Sequence, residues 1–160
     1  MIETKYPATP AIRIFKDRGI PFVIHAYAYE EHGGTAVAAR ELGVDEHRVV
    51  KTLVMETEDR TPLIIVMHGD REVSTKSLAR HLGVKTVSPC SPDTAAKHTG
   101  YLVGGTSPFG TRKPLKVYVE STVMDLPVIY INAGKRGLLA EIAPADMARI
   151  LDPEMVSAAV

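Results

Sequence analysis

The run Leu63-Ile64-Ile65-Val66-Met67 constrains the fold of this chain more than any other stretch. Its five residues are all apolar and lack the alternation that a half-exposed strand shows, so the run predicts a strand covered on both faces. Strands and short helices alternate irregularly around it, with strand pairs near the C-terminus. This order indicates a mixed α/β or α+β fold and not a regular doubly wound sheet.

Capping residues predict where the helices begin and end. Ser, Thr and Asp can accept hydrogen bonds from the first turn, proline is tolerated there, and glycine ends helices. The predicted helices begin at Thr9-Pro10, Thr35, Ser74 or Thr75, Ser91-Pro92-Asp93 and Pro144, and the first four end at Gly19, Gly43, Gly83 and Gly100. Besides the central run, the predicted strands cover residues 21–29, 49–56, 84–87, 115–120, 128–131 and 138–142.

Length and charge limit the classes of partner. The 160 residues predict one domain spanning residues 1–160. Lys plus Arg equals Asp plus Glu at 19 each, so the chain is a poor general polyanion binder and no DNA partner is expected. Residues 97–136 nevertheless carry six basic and two acidic residues. A solvated face and an RNA contact explain this excess equally well.

Cysteine content and hydropathy limit the expected cellular compartment and the kinds of site. The single cysteine, Cys90, excludes an intrachain disulfide and a multi-cysteine metal site, which fits a reducing cytoplasm. No segment has the ~20 apolar residues of a membrane span. The six histidines show no His-Glu-x-x-His spacing, and we expect neither a metal nor another cofactor.

A glycine-rich stretch, Gly104 to Gly110, follows the apolar residues Tyr101 to Val103. It is either a structural turn or a cradle in which a ligand approaches the main chain. A phosphate-binding P-loop is excluded because Thr111 stands where Lys is required. A nucleophile elbow is excluded because Pro108, which has no N–H, follows Ser107. Ser107 is therefore a poor candidate nucleophile.

Lys51 lies in a predicted strand with two mostly apolar faces. It shares one face with Val49, Leu53 and Met55. Either its ammonium group reaches water at the strand edge, or it points into a functional cavity. The sequence thus offers Lys51, the glycine stretch and the basic loop Asn132 to Gly137, but no convincing protein nucleophile. This set suits a site that binds an acyl group and polarises its carbonyl.

Several stretches, in order along the chain, resemble the YbaK family of aminoacyl-tRNA deacylases, which includes the editing insertion of bacterial prolyl-tRNA synthetases. The matching stretches are Thr9-Pro10-Ala11, Ile20-Pro21-Phe22 with His25-Ala26-Tyr27, Val50-Lys51-Thr52-Leu53-Val54, Thr99 to Gly110, Gly134-Lys135-Arg136-Gly137 and Glu141-Ile142-Ala143-Pro144. The resemblance runs from about Thr9 to about Leu151. It implies a mixed, partly barrel-like β-sheet with short helices packed around it.

The resemblance also implies an activity: release of a wrong amino acid from tRNA, mainly cysteine from Cys-tRNA(Pro). The substrate's own thiol would attack its ester carbonyl, so that no protein nucleophile is needed. Mischarged tRNA, through its 3′ acceptor end, and prolyl-tRNA synthetase are the implied partners. By motif position the catalytic residues would be Lys51, Gly104 and Gly105, and the substrate-binding residues Tyr27, Thr106, Ser107, Asn132, Ala133 and Gly134. We expect substitution of Gly105 to remove activity with little loss of stability.

Two stretches depart from the family pattern. Gly34-Thr35-Ala36-Val37 replaces an aromatic-Gly-acidic run, and Asn132-Ala133-Gly134 replaces Ser-Gly-Gly. These departures leave open the preferred amino acid. The alternatives are a deacylase for another small amino acid and a non-catalytic module that binds tRNA or a synthetase.

Overall fold

A computed structural model describes residues 6–160 of the chain. Within that range the helices are α1 (Pro10–Asp17), α2 (Gly34–Leu42), α3 (Thr75–Leu82), α4 (Pro92–Thr99) and α5 (Pro144–Leu151). The strands are β1 (Val23–Ala26), β2 (Val50–Thr57), β3 (Pro62–His68), β4 (Val87–Pro89), β5 (Lys116–Glu120), β6 (Ile129–Lys135), β7 (Leu138–Ile142) and β8 (Glu154–Val156). No helix in this range is both long and apolar enough to cross a bilayer.

The larger sheet has five strands in the order β4-β2-β3-β5-β8. β2 pairs antiparallel with β3 and β4, whereas β5 pairs in parallel with β3 and β8. Every residue of the central run Leu63 to Met67 is buried. Ile64 and Val66 pack into one hydrophobic cluster, and Leu63, Ile65 and Met67 into another on the opposite face. The prediction of a strand covered on both sides is confirmed.

The smaller sheet has three antiparallel strands in the order β1-β7-β6. It meets the larger sheet where Val49, just before β2, forms a parallel bridge with Tyr130 of β6. The predicted mixed α/β class is confirmed. The strands form two adjoining sheets and do not close into a barrel.

Three predicted caps are confirmed. The side chains of Thr9, Ser74 and Ser91 accept hydrogen bonds from the backbone N–H groups three residues later, at 3.1 to 3.2 Å. Gly43, Gly83 and Gly100 end the three middle helices in the left-handed conformation. These features were predictable because each depends on neighbours within one helical turn.

Four local predictions were wrong, three of them concerning strands, and one further strand was missed. β1 ends at Ala26, and not at residue 29, because its partner β7 begins at Leu138, opposite Ala26. β4 begins at Val87 because it pairs there with Thr57 at the end of β2. Residues 132–135 form the end of β6, with a bulge, and not a loop. β8 was missed because it has only three residues, two of them exposed.

The fourth wrong prediction concerns Thr35, which does not cap α2. The helix begins at Gly34 and its N-cap residue, Gly33, makes no side-chain cap. The Thr35 hydroxyl instead donates to a carboxylate oxygen of Glu46 at 2.8 Å, and lies 3.2 Å from the carbonyl oxygen of Gly69. Thr35 thereby joins the start of α2 to the turn after β3.

Candidate functional site

A cavity of about 890 Å³ lies beside β2 and takes lining residues from both sheets. Its volume falls in the range of small-molecule sites, roughly 300–1,000 Å³. The polar and aromatic residues that line it include Tyr27, Tyr29, Thr35, Glu46, Lys51, Thr52, Glu72, Cys90, Thr106, Asn132 and Arg136. Gly104 of the glycine stretch and the preceding residue, Val103, also line it. The cavity therefore brings together segments that are far apart in the sequence.

Lys51 places its ammonium group at this cavity. The side chain is 20% exposed, and its Nζ lies 3.5 Å from Oε1 of Glu72, which is 85% exposed. Because the carboxylate is largely in water, this ion pair adds at most about 1 kcal/mol of stability. An incoming anionic or carbonyl group can therefore compete with Glu72 for Lys51 at little cost.

β2 presents a free edge to the cavity, a feature that sequence analysis missed. β2 pairs with β3 along its length but with β4 only from Met55 to Thr57. The Val54 carbonyl accepts from the N–H of Cys90 at 3.1 Å, so Val54 points its backbone groups away from β3. Alternate residues of an antiparallel strand point the same way, and the N–H and C=O of Thr52 therefore face this free edge.

The side chain of Thr52 is also unusual. Its hydroxyl oxygen is buried and has no hydrogen-bond partner among residues 6–160. Such a group typically costs about 1–3 kcal/mol. The only sequence signal for it was a threonine beside Lys51 in a strand with few polar residues. Thr52 therefore offers unsatisfied polar groups next to the cavity.

The glycine stretch is both a turn and a cavity wall. Gly104 has φ +89°, and a Cβ added there would lie 2.5 Å from the hydroxyl oxygen of Tyr29. Gly105 is buried, and a Cβ added there would lie 2.7 Å from the backbone nitrogen of Arg136. The N–H of Gly105 already donates to the carbonyl of Leu102 at 2.8 Å. The Gly105 N–H is thus occupied within the turn, and this residue acts through packing.

The other predicted substrate-binding residues divide into two groups. Tyr27, Thr106 and Asn132 line the cavity, whereas Ser107, Ala133 and Gly134 do not. Ser107 and Ala133 are fully buried. The Ser107 hydroxyl oxygen accepts from the Phe109 N–H at 3.2 Å, and the Ala133 carbonyl accepts from the Thr9 hydroxyl at 2.6 Å.

Gly134 contacts residues next to the cavity but does not line it. Its N–H donates to Oδ1 of Asn132 at 2.7 Å, and a Cβ added to it would lie 2.7 Å from the ring of Tyr101. The β6 bulge can therefore pack against Tyr101 only with a glycine at this position. Gly134 shapes the cavity without lining it.

Tyr29 and Arg136 form a further part of the wall that sequence analysis did not assign. The Arg136 guanidinium lies 5.3 Å from the centre of the Tyr29 ring, and its Nε donates to the carbonyl oxygen of Val103 at 2.9 Å. Tyr27, on the same wall, has a phenol whose pKa is raised by burial and by the nearby Tyr29. Tyr27 is therefore a neutral hydrogen-bond donor at physiological pH.

The titration of Cys90 bears on its chemistry. Burial, and then the neighbouring Glu56 carboxylate, raise the pKa of its thiol to about 11. Because the thiolate is the reactive form, Cys90 is a weak nucleophile at neutral pH. Among residues 6–160 no group of three or more His, Cys, Asp or Glu side chains could hold a metal ion.

Residues 30–150 match the family model of the aminoacyl-tRNA editing domain. The chain belongs to the aminoacyl-tRNA editing domain family. The resemblance to the YbaK family is thereby confirmed. One relative is EbsC of Enterococcus faecalis, inferred to be a Cys-tRNA(Pro)/Cys-tRNA(Cys) deacylase. It is 32% identical over 137 residues, which cover 85% of this chain and 84% of EbsC.

The editing domain also resembles part of a larger enzyme. The proline–tRNA ligase of Ligilactobacillus salivarius is 30% identical over 99 residues, which cover 62% of this chain but only 17% of the ligase. Among solved structures, one inferred to be a trans-editing enzyme for prolyl-tRNA synthetase superposes with a TM-score of 0.81 at 19% identity. The match covers 97% of this chain and 99% of that one, and at this identity it shows a shared fold.

Proposed function

We propose that the editing domain is a trans-acting deacylase that releases cysteine from mischarged Cys-tRNA(Pro). The observation that carries the proposal is the Lys51 ammonium group, which lies at a cavity bordered by Gly104 and holds only a weak contact with Glu72. Membership of the family and the activity inferred for EbsC support the same reaction class.

Lys51 would act on the ester that joins the amino acid to the tRNA. When a nucleophile attacks the ester carbonyl, negative charge develops on the carbonyl oxygen, and a cation fixed in a partly buried site stabilises that charge. Tyr27, as a neutral phenol at the same cavity, can donate a second hydrogen bond. The backbone groups of Thr52 at the free edge of β2 can bind the α-amino group and the acyl chain.

The nucleophile would come from the substrate. The cysteine thiol loses its proton and its sulfur bonds to the ester carbonyl carbon, while the bond from that carbon to the ribose oxygen breaks and the oxygen takes a proton. The products are a cyclic thioester of cysteine and free tRNA. Holding the thiol and the ester in the reactive geometry can lower the activation free energy by roughly 7–11 kcal/mol. This route is consistent with the two protein candidates, since Cys90 has a raised pKa and Ser107 is fully buried.

Prolyl-tRNA synthetase is the proposed partner. The related domain is part of proline–tRNA ligases, where tRNA is already bound. A separate chain with no net charge holds tRNA weakly by itself, and association with the synthetase raises the effective concentration of its substrate.

The test compares two tRNAs that differ by one atom in the amino acid. The purified chain is incubated with Cys-tRNA(Pro) and Ser-tRNA(Pro), with Pro-tRNA(Pro) as the cognate control. We expect rapid deacylation of the cysteinyl ester only, because a hydroxyl is a far weaker nucleophile than a thiol at neutral pH. Equal rates on the cysteinyl and seryl esters would contradict the thiol mechanism.

Two further outcomes separate the alternatives. Preferential release of alanine from Ala-tRNA(Pro) would identify a deacylase for another small amino acid, in line with the sequence departures at 34–37 and 132–134. Binding of tRNA without turnover of any ester would identify a non-catalytic module.

A further inference from the structure

We infer that the single-stranded 3′ end of the tRNA reaches the cavity across a surface formed by Lys97, Leu102, Val103, Arg112 and Arg136, here called the acceptor surface. The inference rests on the proposed function and adds where the RNA lies. Neither the cavity nor the family match assigns this surface a role.

The first observation is a second depression in the protein, of about 250 Å³, whose lining includes Lys97, Gly100, Leu102 and Arg112. The Arg112 side chain lies over Gly100, at 3.7 Å from the position that a Cβ would take there. The N–H of Arg112 donates to the carbonyl of Thr99 at 3.0 Å. The backbone that carries Arg112 is thus fixed to the end of α4.

The depression and the proposed active-site cavity are lined by neighbouring residues. Leu102 lines the depression, and the next residue, Val103, lines the cavity. Arg136 lines the cavity and donates to the Val103 carbonyl. A chain that occupies both sites therefore crosses only the Leu102–Val103 peptide, with Arg112 on one side and Arg136 on the other.

Charge at this surface has one sign. The acceptor surface is built from segments 97–113 and 126–140, which contain five Lys or Arg residues and no Asp or Glu. All five are exposed, and none makes an ion pair with a described residue. In a chain with no net charge, this local excess suits a polyanion.

The apolar component points to a single strand and not to a duplex. Leu102 is 66% exposed and Val103 47% exposed, between these cations. A duplex offers mainly phosphates and its shallow groove, whereas a single strand offers unstacked base faces that pack on apolar and guanidinium groups. The combination of exposed apolar side chains with flanking arginines therefore fits the unpaired acceptor end.

The test uses a charge-reversal variant, Lys97→Glu/Arg112→Glu, with Arg80→Glu/Lys85→Glu as the matched control. The control residues are also exposed basic residues that form no ion pair with any of residues 6–160, and they lie on α3 and the connection to β4. Binding of a short single-stranded RNA with the acceptor-end sequence is measured by fluorescence anisotropy over a range of salt concentrations. We expect the test variant to lose at least about tenfold in affinity and to reduce the salt slope by about two.

A second measurement separates this inference from the deacylase proposal. Hydrolysis of mischarged tRNA is compared with hydrolysis of the ethyl ester of the same amino acid, which has no RNA. We expect the test variant to raise KM for the tRNA and to leave ester turnover unchanged. Failure of the wild-type chain to deacylate either substrate would reject the proposed function, while the anisotropy result would still decide the surface.

Two results would overturn the inference. One is unchanged RNA affinity in the Lys97→Glu/Arg112→Glu variant with its fold intact by thermal melting. The other is an equal loss of affinity in the control variant, which would show a general charge effect. A Leu102→Ser variant tests the apolar contribution. We expect it to lower the affinity for single-stranded RNA more than the affinity for a duplex of the same length.

Discussion

The side-chain amide of Asn132 donates to the carbonyl oxygen of Gly104 at 3.2 Å. Its Oδ1 accepts from the N–H groups of Gly134 and Lys135 at 2.7 and 3.2 Å. One side chain therefore joins the two glycine-rich segments that border the cavity, although 28 residues separate them.

Asn132→Asp should weaken this joint selectively. The carboxylate keeps the acceptor for Gly134 but removes the amide donor to the carbonyls of Gly104 and Lys135, which costs about 1 kcal/mol of stability for each hydrogen bond. We expect deacylation to fall roughly tenfold or more, because the Gly104 wall loses its fixed position. Thr111→Val, which removes a 2.6 Å hydrogen bond to the Lys113 carbonyl, is the matched control and should keep full activity. Equal activity in both variants would show that the joint has only a structural role.

Thr52→Val should raise the stability of the chain while lowering its deacylase activity. It removes a buried hydroxyl that has no partner in the described part of the chain, at almost constant volume. We expect the free energy of unfolding to rise by about 1 kcal/mol. Because Thr52 lines the cavity, we also expect deacylation to fall. Thr52→Ser keeps the hydroxyl and should retain more activity than Thr52→Val. Urea unfolding and single-turnover rates of the two variants provide the measurement, and a stabilised, fully active valine variant would remove Thr52 from the site.

Gly105→Ala should lower stability and activity together, contrary to the expectation from sequence. The new methyl group would lie 2.7 Å from the Arg136 nitrogen and 2.9 Å from the Lys135 carbonyl carbon, and backbone atoms cannot move aside as a flexible side chain can. Overpacking of this kind typically costs about 1–3 kcal/mol. A variant of unchanged unfolding midpoint but no activity would restore a direct role for Gly105 at the substrate.

Cys90 should impose a pH dependence on stability at alkaline pH. Burial raises the pKa of its thiol from 9.0 to about 11 in the folded chain, so folding favours the protonated form. The contribution is complete below about pH 9 and is lost as the pH rises toward 11. The difference in unfolding free energy between wild type and Cys90→Ala should therefore stay constant below about pH 9, and wild type should lose stability relative to the variant as the pH rises from 9 toward 11. Cys90→Ala should keep most deacylase activity, and an acyl adduct on Cys90 in mass spectra during turnover would contradict the substrate-thiol mechanism.

Features decided by local chemistry were predictable from the sequence. The caps at Thr9, Ser74 and Ser91 and the buried run around Ile65 depend on spacings within a few residues. The free edge at Thr52 was not predictable, because it exists only where β4 stops pairing with β2. The joint made by Asn132 likewise depends on two loops that meet only in the folded chain.

The predicted site residues also divide into those that line the cavity and those whose position depends on the folded chain. Lys51 and Gly104, from two separate motifs, both line the cavity, and their catalytic roles remain predictions. Ser107, Ala133 and Gly134 lie beside lining residues in sequence but outside the lining. Whether these residues reach the cavity depends on the turn after Gly105 and on the β6 bulge, and spacing alone does not determine either.

The most direct test of the account is the single-turnover rate of Cys-tRNA(Pro) deacylation by Lys51→Ala against wild type. Loss of one fixed electrostatic contact predicts a fall on the order of 10²-fold or more. Stability should be nearly unchanged because the Glu72 pair is weak, and Glu72→Gln, which removes only that pair, should stay active. A folded Lys51→Ala variant with a near-normal rate would contradict the account, since it would mean that the Lys51 ammonium group merely reaches water beside the cavity.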